Sequence, residues 1–209
     1  AGIICGDEEY VRQLRKRCSD VGALLVIDEV QTGFGRTGKM FAFEHYGIVP
    51  DIITFAKGLG GGMPIGAFVA PKSIMDSFTS KPVLGHITTF GGHPVSSAAA
   101  VATIEVIRDE KLTESVEEKK QLFLSMLQHL MIKEVRHSGL MMAVELESDV
   151  ITRRFTELAL EKGLLTEWFL FHETAFRISP PLTIQKEEIK FACEIIIELL
   201  SAIEEQSSI

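Results

Sequence analysis

Two residues of this 209-residue chain have side chains and surroundings suited to chemistry. Lys57 follows the apolar run "DIITFA" (51–56), and four of the next five residues are glycine. Asp28 ends a second apolar run, "ALLVID" (23–28). Continuous apolar runs of this length suit strands buried on both faces of a parallel sheet. Ligands of open α/β sheets bind at the carboxyl ends of such strands. If the two strands are parallel neighbours, Asp28 and Lys57 flank one crevice. The glycines at 58, 60, 61 and 62 let backbone or ligand come close. A partly desolvated lysine is a nucleophile for carbonyls. The pair therefore suggests a Schiff base between Lys57 and an aldehyde cofactor, with Asp28 keeping a pyridinium nitrogen protonated so that the ring serves as an electron sink. The competing readings are structural: a snorkelling lysine, and an aspartate that caps a helix or pairs with a cation.

The elements that must position these residues alternate in type. Residues 7–21 read as a helix, with Asp7 as cap, Glu8 and Glu9 in the first turn and Gly22 as terminator. Strands are expected over 23–28, 51–56 and 65–70, a short helix over 71–78, a long loop over 79–94 and an Ala-rich helix over 95–109. Strands alternating with helices indicate an α/β layer. Near 110 the character changes. A charged helix is expected over 114–132, one strand over "EVRHSGLMMAVELE", a helix over 149–162, strands in "GLLTEWFLF" and "AFRIS", and a final helix from 186. In that helix Ile189, Ala192, Cys193, Ile196, Leu199, Leu200 and Ile203 share one face. The expected organisation is a cofactor-binding α/β domain over 1–110, with a mostly parallel sheet, and a small α+β domain over 111–209.

Composition narrows the function classes. With 46% hydrophobic and 24% charged residues the chain is a globular type. A formal charge of −8 without a basic stripe argues against nucleic acid and anionic membrane as partners. No apolar run is long enough to span a bilayer. Three cysteines without a CxxC pattern read as reduced thiols in the cytoplasm. None of the six histidines has ligand spacing with another acid or thiol, so no metal site is argued. "GFGRTG" (33–38) matches G-x-G-x-x-G but does not follow its strand directly, and the stretch after it is too short for the expected helix. The same stretch fails as a phosphate loop because Met40 follows Lys39 where a hydroxyl is required. A glycine-rich turn is the simpler reading.

The ordered stretch "LLVIDEVQTGFGRTGKMFAFEHYGIVPDIITFAKGLGGGMPIGAF" resembles the core of the class III aminotransferases. These are pyridoxal-phosphate enzymes of fold type I that include acetylornithine, ornithine and 4-aminobutyrate aminotransferases. "HITTFGGHPVSSAAA" and "RISPPLTI" resemble later family motifs in the right order. The resemblance is strong over 23–109 and looser beyond. It implies roles for individual residues: Lys57 as the Schiff-base lysine, Asp28 as partner of the pyridinium nitrogen, Val30 against one ring face, and Gln31 on the ring hydroxyl. It further implies that Thr89 reaches the cofactor phosphate of the neighbouring subunit and that Arg177 receives a substrate carboxylate. His93 stands where the family commonly has asparagine, and no role is assigned to it. The implied activity is amino transfer from an amino acid or ω-amino donor to a keto acid such as 2-oxoglutarate, in a homodimer with shared active sites. A related aminomutase or racemase, and a truncated remnant that retains only subunit association, are the alternatives. Family members are much longer. The resemblance therefore implies that the phosphate loop, the ring-stacking aromatic and several substrate contacts precede Ala1. It also implies that the first domain's sheet lacks strands and exposes apolar surface.

Overall fold

The computed structural model describes residues 1–81 and 87–207. The chain divides into two compact units, Gly6–Thr113 on one side, and Glu114–Ile209 together with Ala1–Cys5 on the other.

The first unit opens with α1 (Glu8–Val21). Asp7 caps it by accepting from Tyr10 N–H, and Gly22 ends it at φ 71°, a left-handed conformation that glycine adopts without penalty. β1 (Val26–Asp28) runs parallel to β2 (Ile52–Phe55), with Val26 opposite Ile52 and Asp28 opposite Thr54. Asp51 aligns them. Its carboxylate accepts from Leu25 N–H (2.7 Å) at the start of β1 and from Arg15 of α1 (2.6 Å). β3 (Ala67–Val69) then lies antiparallel to β2, so this sheet is mixed rather than mostly parallel. The physical reason is the connection: residues 56–66 hold only a 3-10 turn, Lys57–Gly60, and no crossover helix to carry the chain back. Both strands are shorter than their apolar runs, and Leu24, Val26, Phe68 and Val69 are exposed instead of buried on both faces. α2 (Lys72–Met75) leads into a 3-10 turn, and α3 (Pro94–Asp109) closes the unit. Residues 82–86 of the expected 79–94 loop lie outside the described residues.

The second unit contains α4 (Val116–Met126), which stops short of the expected 132. The stretch read as one strand is a hairpin, β4 (Glu134–Ser138) and β5 (Met141–Glu145), reversing at Gly139 with φ 58°. α5 (Asp149–Glu161) is capped by Ser148. β6 (Trp168–Phe169) and β7 (His172–Ile178) complete an antiparallel sheet of order β4-β5-β7-β6, and α6 (Lys186–Ser207) packs against it. Met142, Val144 and Phe176 on one sheet face meet Phe123, Phe155, Ile189, Cys193, Ile196 and Leu200 of the helices. The Phe155 and Phe176 rings stack at 4.2 Å. The opposite face carries Ala143, Ala175 and Phe169, and Ile3 packs on them. Arg136 Nε donates to the Gly2 carbonyl (2.8 Å), which explains why Ala1–Cys5 groups with this unit.

Candidate active site

β1 delivers Asp28 to its carboxyl end. Asp28 is exposed rather than buried, and its Oδ1 accepts from Val30 N–H at 2.8 Å, forming a tight turn. Oδ2 has no hydrogen bond among the described residues. Gln31 is exposed next to it and Val30 is half-buried. Beyond them the chain does not enter a helix. Residues 30–37 are turns, Gly33 and Gly35 give way to a 3-10 turn at Ala42–Tyr46, and the dinucleotide pattern is a glycine-rich loop. Gly33 is required there, because a Cβ would lie 2.8 Å from the Glu29 carbonyl oxygen. Phe34, at φ 58°, fills the underside of the loop, its ring 5.4 Å from Phe55 and 5.8 Å from Phe41.

β2 delivers Lys57 to the neighbouring carboxyl end, two residues past Phe55. The parallel pairing of β1 and β2 places Asp28 and Lys57 at the same sheet edge. Lys57 has φ 43°, a left-handed backbone that a lysine adopts at a cost. Its ammonium has no partner among the described residues. It is exposed, so the desolvation expected from its glycine neighbours is not found. Two of those glycines answer to packing instead: at Gly61, φ 54°, a Cβ would collide with Thr103 Oγ1 on α3, and at Gly60 it would lie 3.0 Å from the Ile65 side chain.

Thr89 sits exposed in the turn before α3. Its neighbour Thr88, with Phe90, Gly91, His93, Ser96 and Ile65, lines a cleft of about 300 Å³. His93 caps α3, its Nδ1 accepting from Val95 N–H at 3.3 Å. A cap needs a side-chain acceptor, which asparagine or this histidine tautomer supplies.

Arg177 belongs to the second unit, in β7 beside Ala143 of β5. Its guanidinium lies 4.7 Å above the Phe169 ring and pairs with Glu167 at 3.2 Å. Its Nε is buried and has no hydrogen-bond partner among the described residues. A buried guanidinium nitrogen left unsatisfied is costly. Sequence reading found neither the Phe169 shelf nor the Glu167 counterion, since both depend on how β6 pairs with β7. It also missed Glu29, a fully buried carboxylate directly after Asp28; the only signal was Thr32 three residues on.

The family model for aminotransferase class-III matches residues 1–200. The chain belongs to the class III aminotransferases. Family relatives include the acetylornithine aminotransferase of Caldanaerobacter subterraneus subsp. tengcongensis, 43% identical over 97% of this chain and 51% of its own length. The putrescine aminotransferase of Pectobacterium atrosepticum is 43% identical over 90% of this chain and 41% of its own. Among solved structures, a transaminase from the marine bacterium Virgibacillus superposes with a TM-score of 0.90 at 32% identity, covering 98% of this chain and 51% of that one. An ornithine aminotransferase from Toxoplasma gondii, with PLP at partial occupancy in its active site, gives a TM-score of 0.90 at 33% identity over 100% and 50%. The chain thus spans about half the length of these relatives, and its α/β fold is the matching part of theirs.

Proposed function

We propose that this chain supplies the cofactor-anchoring residues of a pyridoxal-phosphate-dependent aminotransferase that moves an amino group from an amino acid or ω-amino donor to a keto acid such as 2-oxoglutarate. The observation that carries the reading is the parallel β1–β2 pair, which sets Asp28 and an unpartnered, backbone-strained Lys57 at one sheet edge. Family membership and the named relatives support it.

The residues fit the cofactor. Pyridoxal phosphate, when bound, supplies an electron sink for the substrate carbanion. Lys57 would hold the cofactor's aldehyde through its free amine and would move the proton at the substrate carbon, as general base and then acid. Asp28 Oδ2, open among the described residues, holds a proton on the ring nitrogen by charge. Val30 bears on a ring face, and Gln31 donates to the ring hydroxyl. Arg177 takes a substrate carboxylate on its planar fork. Thr89 serves the phosphate of a second subunit in a homodimer with shared active sites. The three unpaired cysteines agree with a cytoplasmic setting. In domain terms, we take Gly6–Thr113 as the cofactor-binding part and Glu114–Ile209 with Ala1–Cys5 as the small domain, so the expected division into 1–110 and 111–209 shifts at both ends.

The test is amino transfer from a panel of α- and ω-amino donors to 2-oxoglutarate, with Lys57→Ala as control. Turnover by the wild-type protein and none by Lys57→Ala is expected. Turnover that survives in Lys57→Ala removes the lysine from the chemistry. Donor isomerisation without consumption of keto acid points to a mutase or racemase.

A further inference from the structure

Glu29 is 0% exposed, and the steps proposed above make no use of its carboxylate. A carboxylate is rarely left in such a place unless its oxygens are occupied. Here every polar group of the residue is engaged. Its N–H donates to the Thr54 carbonyl of β2 (3.0 Å), and its own carbonyl accepts from Gly33 N–H (3.0 Å). Oε1 accepts from Phe43 N–H (2.9 Å), and Oε2 accepts from the Thr32 hydroxyl. One side chain thus fastens Thr32, near the start of the glycine-rich loop, to Phe43 at its far end.

We propose that Glu29 is a positioning residue: its buried carboxylate clasps the 29–43 loop and thereby fixes where Gln31 and Val30 face the cofactor ring. This rests on the cofactor reading above.

Gln31 has no partner of its own among the described residues and is exposed. Its direction is inherited from its neighbours. On one side Val30 N–H is tied to Asp28 Oδ1, and on the other Thr32 is tied to Glu29. An apolar side chain at 29 would fill the space but could not accept from a backbone N–H and a hydroxyl at once. The clasp extends further. Past Gly33 the loop drops Phe34 between Phe41 and Phe55, and Gly58, directly after Lys57, passes beneath Phe34. The loop leaving β1 and the turn leaving β2 are therefore held as one surface.

The experiment measures binding of pyridoxal phosphate alone, by absorbance titration, and the absorption maximum of the bound form. Thr32→Val removes one arm of the clasp at nearly constant volume. Glu29→Ala removes both. Glu29→Gln keeps an acceptor for Phe43 N–H and can donate to the Thr32 hydroxyl. Each is made with Gln31 present and with Gln31→Ala. Thr32→Val and Glu29→Ala are expected to weaken cofactor binding about tenfold and shift the absorption maximum when Gln31 is present. In Gln31→Ala the same changes are expected to cost less than about twofold, the non-additivity of residues acting through one another. Glu29→Gln is expected to restore binding. Equal losses in both backgrounds, or an unchanged spectrum in Thr32→Val, overturn the inference. If the wild-type protein binds no pyridoxal phosphate, the cofactor reading itself has failed; if it binds and the clasp variants match it, only the role of Glu29 has.

Discussion

Lys57 combines an unpartnered ammonium with a left-handed backbone at φ 43°. Such strain persists where the surrounding structure over-determines it, and it gathers at functional sites. Lys57→Gly removes the amine and at the same time suits that backbone. It is expected to melt at or above the wild-type temperature while losing all turnover, a pairing that a purely structural lysine would not give; calorimetry and the amino-transfer assay check it together. Asp28 and Lys57 were legible in the sequence because each directly ends an apolar run, and strand ends are where α/β sheets place ligands. Their exposure was not legible, because it depends on which elements cover the sheet. Glu29 was hidden for the opposite reason: an acidic residue reads as solvated, and only the path of the 29–43 loop buries it. Cys193 was placed correctly on the apolar face of α6. Burial there pushes its thiol up to about 12, so the reactive thiolate is scarce at neutral pH. Alkylation at pH 8 is expected to spare Cys193 until the protein is unfolded, as peptide mapping will show.

At the scale of elements, Gly61 in the run after Lys57 is explained by α3. Gly61 lies against Thr103, so Gly61→Ala meets both a collision and an unfavourable φ, and is expected to destabilise by about 1–3 kcal/mol in denaturant unfolding. The sequence marked the glycines as special and assigned them to ligand access; helix packing cannot be seen from spacing alone. Helix ends read well where a local residue sets them. Asp7 and Gly22 bound α1, and the expected face of α6 is the one that packs on the sheet. The 134–145 stretch misled because both arms of the hairpin are strand-like and the reversal rests on Gly139 alone. The sequence assigns His93 no role; the structure gives it a local one as the cap of α3.

Across the whole molecule, acid bears on a charge network in the second unit. Burial alone would raise the Glu145 carboxyl, but hydrogen bonds from Thr174, Arg136 and His172 outweigh it and hold it below its ordinary value. Its stabilising contribution is complete above about pH 4.5 and is lost as pH falls through the lowered folded-state value. Glu145→Gln is expected to flatten the fall in melting temperature below that pH, and an unchanged slope would remove Glu145 from the account. Exposed Leu24, Val26, Phe68 and Val69 leave the first unit's sheet with the bare apolar surface that the resemblance implied. The chain covers about half of its relatives' length, and the strand ends that carry Asp28 and Lys57 lie within it. The most direct measurement of the central claim is to add pyridoxal phosphate, reduce with borohydride and locate the modified residue by peptide mass spectrometry. The account predicts the label on Lys57. A label on other lysines with Lys57 unmodified would contradict it.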